Sequence, residues 1–277
     1  MVPLVRSSLG RLIRSRVAGE DAEERAEQIW GTPGERWFTP ADPIWRVHSD
    51  ASMFPGGLAA LLLQSLHPLA MAGVAGHSGY RGDPWGRLQR TSDYVATTTF
   101  GTVPDAEAAV ARVRRVHERV RGRDERGRPY RAGDPELLGW VHLAEVDSFL
   151  TAFQAYATTP LTDAEADTYV SQTGVAARLL GVTDPPTTRA ELDQRLEAFR
   201  PELEVGEAAR DAARFLLREA PLPAPARPGY AGLAAGAVVL LPSWAREMLG
   251  LTWPGRRVGR ALGVGATAAV RWAMAAA

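Results

Sequence analysis

His142 is the residue whose surroundings most invite chemistry. It lies in Pro135–Tyr156, which reads PELLGWVHLAEVDSFLTAFQAY with Asp134 immediately ahead. Asp134 is placed as an N-cap and Pro135 as the first helical residue, so the spacing predicts one uninterrupted helix. At roughly 100° per residue, Leu138, Val146, Phe149, Phe153 and Tyr156 fall within about 40° of His142, while Asp147, Thr151 and Gln154 lie on the far side. An imidazole in the middle of an apolar stripe is costly to bury unless its nitrogens find partners. A backbone carbonyl, a carboxylate or a metal would each serve. A single histidine on such a face is more often a satisfied core residue than a ligand, so the rest of the chain has to decide.

Two further stretches carry candidate groups. Pro55-Gly56-Gly57 punctuates the chain, and Leu58 to Ala75 is then apolar on nearly every side, the mark of a buried helix. That helix holds Gln64 and His67, and Pro68 must kink it. Gly73 and Gly76 end it just before His77-Ser78, where small residues would let a planar ligand or another helix come close. Asp83-Pro84 opens the next helix, Trp85 to about Thr98. There Arg87, Arg90, Thr91 and Tyr94 share one face at i, i+3, i+4, i+7 spacing. Two arginines beside a hydroxyl suit an anion in a pocket; a solvated basic face is the plain alternative. His117, set among arginines, reads as a surface residue.

Composition removes whole classes of function. The 277 residues carry 32 acidic and 32 basic side chains, so no global field draws the chain to nucleic acid. Every base is arginine, and there is no cysteine. Disulfides, thiolate-held iron or zinc, iron–sulfur clusters and cysteine nucleophiles are therefore excluded, in keeping with an expected cytoplasmic location. Residues 1 to 20 lack the apolar core of a secretory signal. The longest apolar run, Ala231 to Leu241, is about half of a bilayer span, so no transmembrane segment is expected. Nucleophile-elbow, HExxH and paired ExxH patterns are missing, as are glycine-rich phosphate loops. A non-haem metal held by His67, His77 and His142, or by two histidines with Glu145 or Asp83, can be drawn, but no spacing demands it.

These candidates are expected to sit on helices. Thr162 with Glu165, and Thr188 with Glu191, form capping boxes ahead of two helical segments. Arg121 to Gly133 is a polar, glycine-bearing excursion, Pro221 to Pro228 is a proline-rich connector, and no strand alternation of useful length appears. The fold class is all-α, a single helical domain of about ten helices. We divide it into an N-terminal helical extension (1–40), in which Ala18 to Trp30 is the better helix, a catalytic domain (41–255), and a C-terminal helix (256–277) packed on it.

Among cofactors haem fits this inventory best: it asks for one imidazole in an apolar slot and arginines for two propionates. The run LLLQSLHPLAMAGVAGHSGYRGDPWGRLQRT, then WVHLAEVDSFLTAF, then LPSWAREMLGL also resembles the mpaB-type oxygenase family, the catalytic domain shared with rubber oxygenase (latex clearing protein). The likeness covers most of residues 40 to 255. It implies a globin-like helical core holding a b-type haem, with His142 of WVHLA in the position of the proximal iron ligand. The family's distal Arg-x-x-Lys-Thr motif corresponds to Arg87, Arg90 and Thr91. Lysine is replaced by Arg90, whose guanidinium stays protonated and cannot ligate iron as an amine does. The resemblance further implies dioxygen and an apolar, isoprenoid or otherwise unsaturated substrate as partners, with an electron donor as a further one. Arg87, Arg90 and Thr91 would donate hydrogen bonds or fix the haem. Leu138, Val146, Phe149 and His67 would line the haem or substrate pocket. Glu145, about 60° from His142 on the wheel, is a candidate acid or base, although that angle turns it toward a neighbouring helix.

Overall fold

The computed structural model describes residues 21–77 and 81–275, with Gly10, Arg16 and Gly19 ahead of them. Among the described residues there are thirteen α-helices. They are α1 (Ala22–Ala26), α2 (Pro43–Ser49), α3 (Met53–Gln64), α4 (Pro68–His77), α5 (Pro84–Phe100), α6 (Val103–His117) and α7 (Pro135–Tyr156). There follow α8 (Asp163–Leu180), α9 (Arg189–Phe199), α10 (Glu207–Arg214), α11 (Arg227–Leu240), α12 (Ser243–Met248) and α13 (Arg256–Met274). The fold is all-α, as the sequence predicts. Most of the predicted Ala18–Trp30 helix is present as α1 and a π-helical turn, Glu27–Gly31, while its first residues lie largely outside the described ones.

The long helix α7 is the axis of the core. Asp134 accepts from the Glu136 amide at 2.9 Å and Pro135 occupies the first turn, as expected of this start signal. The helix ends at Ala157, and Gln154 then clasps the returning chain, donating to the Leu161 carbonyl and accepting from its amide. α3 packs along one side of α7, and α8 and α9 cover others. Gly56 makes the α3 contact close: a Cβ there would stand 3.1 Å from the Ala152 methyl and 3.2 Å from the Phe149 ring. The Pro-Gly-Gly run read as punctuation is thus the first turn of α3, with glycine set where two helices approach. Trp140, Tyr169, Leu62, Leu63, Leu66 and Leu150 fill the space between.

The predicted Leu58–Ala75 helix is two helices, α3 and α4, bent by 107°. Pro68 is the cause, since it has no N–H for the Gln64 carbonyl. The Thr162/Glu165 capping box forms as predicted. At the start of α9 the Thr188 hydroxyl accepts from the Glu191 amide, but Glu191 reaches back to Thr187 rather than Thr188. The polar excursion after α6 contains a small antiparallel hairpin, β1 (Arg121–Arg123) with β2 (Pro129–Arg131), in which Gly122 pairs with Tyr130. Asp124 holds its turn by accepting from the Arg126 and Arg128 amides, a local bond pattern that an alternation search does not detect.

α11 and α13 cross through glycine. A Cβ on Gly236 would lie 2.7 Å from the Gly263 Cα, and one on Gly263 would lie 2.5 Å from the Tyr156 hydroxyl. That hydroxyl donates to the Gly236 carbonyl at 2.9 Å. Gly263→Val should therefore cost about 1–3 kcal/mol by overpacking. Gly265→Ala, whose new methyl meets nothing within 4 Å, should be neutral or gain a few tenths of a kcal/mol. Urea unfolding of the two variants separates steric crowding from loss of glycine as such.

Candidate active site

His142 is half-buried on α7, and its ring lines a cleft of about 580 Å³. Pro135, Glu136, Gly139 and Leu143 of α7 form one wall; Arg195, Ala198 and Phe199 of α9 and the Val182–Pro186 connector form the other. The volume is that of a small-molecule site, and the lining is mostly apolar. Gly139 is the open floor, where a Cβ would meet nothing within 4 Å. At the mouth Asp184 adopts a left-handed backbone (φ 49°), and Arg195 holds it through both its carbonyl and its carboxylate, the latter at 2.8 Å.

The His142 Nε2 is covered from solvent and has no hydrogen-bond partner. Burial, assisted by the Arg178 charge, holds the imidazole pKa down at about 4. At neutral pH the side chain is thus an uncharged imidazole with an unsatisfied nitrogen. Of the alternatives open in the sequence, neither a carbonyl nor a carboxylate takes that nitrogen.

The apolar stripe around His142 is buried, but it packs rather than lines the cleft. Leu138 meets Ala177 and Val182, while Val146 and Phe149 belong to the main core. Phe149 also stands edge-on to His48, with ring centroids 5.6 Å apart. His48 is a polar centre that the sequence did not single out. Its Nδ1 lies 2.8 Å from the Thr99 hydroxyl and its Nε2 3.3 Å from the Tyr169 hydroxyl, and burial brings its pKa down to about 3.

Glu145 belongs to this second, internal cluster and is absent from the His142 cleft. Desolvation pushes its carboxyl up to about 7. Burial first, and the Glu145 charge second, raise the Tyr94 and Tyr169 phenols, which places both near that carboxyl. Asp147, on another face of α7, is raised to about 6 by burial despite an ion pair with Arg189 at 3.1 Å.

The predicted arginine face lies elsewhere. Arg90 is exposed and pairs with Asp83 at 3.2 Å; the Thr91 hydroxyl donates to the Arg87 carbonyl at 3.0 Å. Arg87, Arg90 and Thr91 are not among the residues lining the His142 cleft. His67 is buried at the α3–α4 bend, between the Trp140 and Phe199 rings, with Nε2 3.7 Å from the Glu202 carboxylate. It reaches the cleft only through Phe199. His77 is exposed. His117, expected at the surface, is instead half-buried with its Nδ1 covered and unpartnered, because it ends α6 pointing inward. Among the described residues no three histidine, aspartate or glutamate side chains are placed to hold a metal ion together, so His67, His77 and His142 do not form a triad.

Set beside known proteins, the chain matches, over residues 45–275, the family described as ER-bound oxygenase mpaB/B'/Rubber oxygenase, catalytic domain. The chain belongs to this family. No curated protein and no solved structure matches it. As a member of the mpaB/rubber oxygenase family the chain is built on an oxygenase catalytic domain, whose reactants are dioxygen and a substrate to be oxidised. The match runs past residue 255 and covers all of α13.

The resemblance to this family implies a haem. The orphaned, neutral His142 nitrogen and the apolar cleft with its glycine floor fit such a group. The cleft supplies one arginine, Arg195, where the sequence suggested Arg87 and Arg90. Sequence reasoning missed Arg195, Phe199 and the connector because they lie about forty to sixty residues along the chain. Pro185-Pro186 signals only a break between helices.

Proposed function

We propose that this member of the mpaB/rubber oxygenase family is a b-type haem-dependent oxygenase acting on an apolar, unsaturated substrate. The observation that carries the reading is the His142 imidazole: neutral, partnerless at Nε2, and on the wall of an apolar cleft. When bound there, haem would supply the iron and redox chemistry for dioxygen.

The chain's own residues do the rest. His142 offers a nitrogen lone pair that needs no prior deprotonation at neutral pH. Leu143, Val182, Pro185, Pro186, Ala198 and Phe199 keep water from the cleft and suit a hydrocarbon. Arg195, anchored on Asp184, provides a cation at the mouth for carboxylates of the cofactor. Glu145 holds its proton near neutral pH inside the adjoining polar cluster, beside Tyr94 and Tyr169, and can exchange it without a large energetic penalty.

A second reading draws on one observation. Arg87, Arg90 and Thr91 do not line the cleft, so the cleft itself offers few donors for dioxygen, as in a carrier of haem or of an apolar ligand. The assay that separates the two is pyridine haemochrome together with dioxygen uptake. Purified protein should contain haem in proportion to chain and consume dioxygen catalytically with isoprenoid alkenes. Haem without turnover supports the carrier; absence of haem after reconstitution overturns the haem-dependent reading.

A further inference from the structure

We infer that Tyr169 is a redox-active tyrosine, oxidised by one electron as its phenol proton passes to His48. Helices α2, α5 and α8 build the pair. His48 of α2 lies between Thr99 of α5, whose hydroxyl is 2.8 Å from Nδ1, and Tyr169 of α8, whose hydroxyl is 3.3 Å from Nε2. The Phe149 and Tyr169 rings stand edge-on to the imidazole, with centroids 5.6 and 5.8 Å away, and hold its orientation. A phenol is a much stronger acid than an aliphatic hydroxyl. The favoured tautomer therefore has Nδ1–H donating to Thr99, and Tyr169 donating to the free Nε2. Tyr169 has no exposed surface, so a radical formed there is shielded from solvent and from other chains.

The base is what singles Tyr169 out. Oxidation turns a phenol into a very strong acid, and the radical forms readily only where a positioned group takes the proton. Burial first, and then the Glu145 and Asp147 charges, raise the Tyr169 phenol far above its ordinary range, so the proton is not lost beforehand. His48 is uncharged because burial holds it at about 3, which leaves Nε2 open to accept. An oxidised phenol is acidic enough to protonate even so weak a base. Elsewhere, Tyr156 and Tyr230 donate to the Gly236 and Leu216 carbonyls, which cannot hold a proton. Among the described residues no other tyrosine hydroxyl is hydrogen-bonded to a histidine.

In the step, the Tyr169 O–H bond breaks and an N–H bond forms on His48 Nε2. The electron leaves to an oxygen-centred radical of the peroxyl class, which becomes a peroxide anion. A neutral tyrosyl radical and an imidazolium remain. Peroxyl radicals belong to the chemistry of dioxygen with unsaturated carbon, and the domain is that of an oxygenase. Tyr169 does not line the His142 cleft, and it gives such an oxidising equivalent a place in the core. The inference does not depend on which cofactor the protein holds.

The test takes the full chain, oxidises it with photogenerated tris(bipyridine)ruthenium(III), and freezes it for electron paramagnetic resonance. A tyrosyl radical should appear whose oxygen is hydrogen-bonded to an exchangeable proton, a coupling that disappears in deuterium oxide. Tyr169→Phe should abolish that signal, and Tyr230→Phe should leave it in place. His48→Gln can still donate a hydrogen bond but cannot hold the proton, and it should slow radical formation by about a hundredfold. Circular dichroism checks the fold of each variant, and the deuterium coupling in the wild type needs no variant at all. A wild-type chain that yields no tyrosyl radical overturns the proposal. So does a signal that survives Tyr169→Phe, that lacks the exchangeable proton, or that forms as fast in folded His48→Gln as in the wild type.

Discussion

Trp140→Ala should lower the unfolding free energy by about 3–5 kcal/mol, the range for truncating a fully buried large aromatic side chain. Trp140 has no exposed surface, and its ring stacks at a tilt on Phe199 with centroids 5.4 Å apart. Its indole N–H has a second task. It donates at 3.1 Å to the Gln64 carbonyl, the group that would have received an N–H from residue 68 had that residue not been proline. Trp140 therefore seals the α3–α4 bend from the side. Trp140→Phe keeps most of the ring and loses the donor, and should cost about 1–3 kcal/mol. Denaturant unfolding of both variants separates packing from the hydrogen bond. Equal losses for the two would show that the bend, rather than core volume, dominates. Because Phe199 also walls the His142 cleft, Trp140→Ala should weaken ligand binding there as well.

Glu145→Gln should have the opposite sign. The carboxyl titrates near 7 in the folded protein because burial penalises its charged form. An unfolded glutamate titrates at about 4.3. Between those values the folded state binds more protons than the unfolded one, so stability falls as pH rises through this window and the penalty is complete above about 7. Glutamine has no charge to desolvate. The variant should gain up to about 3 kcal/mol over the wild type at pH 8 and next to nothing at pH 4.5. Thermal melts at the two pH values measure this directly. A gain that does not change with pH would place its origin in packing and remove Glu145 as a group that holds and releases a proton near neutrality. The neighbouring His48 works in the other direction: its depressed pKa means that acid favours the unfolded, protonated form below about pH 6.5.

Much of the scaffold was legible because its signals are local. Asp134 and Pro135 fix the start of α7, Thr162 and Glu165 the start of α8, and Pro68 breaks an apolar stretch; each acts within a turn or two of its own position. The candidate site was legible only in half. The wheel places His142 in an apolar stripe, but not which arc of that stripe stays open. Leu138, Val146 and Phe149 are taken up by α8 and the core, and the cleft opens instead over Gly139, a residue with no side chain to announce it. Its far wall comes from α9 and the connector before it, contacts that depend on tertiary packing. Arg87, Arg90 and Thr91 could be read as a shared face, yet a face alone does not say which way it turns. Gly56 reads as a break for a similar reason: in sequence a close-packing glycine and a turn glycine are the same letter.

In the function proposed above, His142 would be the residue that holds the haem iron. The most direct test is the visible spectrum of the haem-reconstituted protein beside that of reconstituted His142→Ala, with circular dichroism to show that the variant is folded. A Soret band in the wild type that is lost in the variant, or shifted to the position of free haem and restored by added imidazole, is the predicted result. A folded His142→Ala protein with an unchanged Soret band would contradict it.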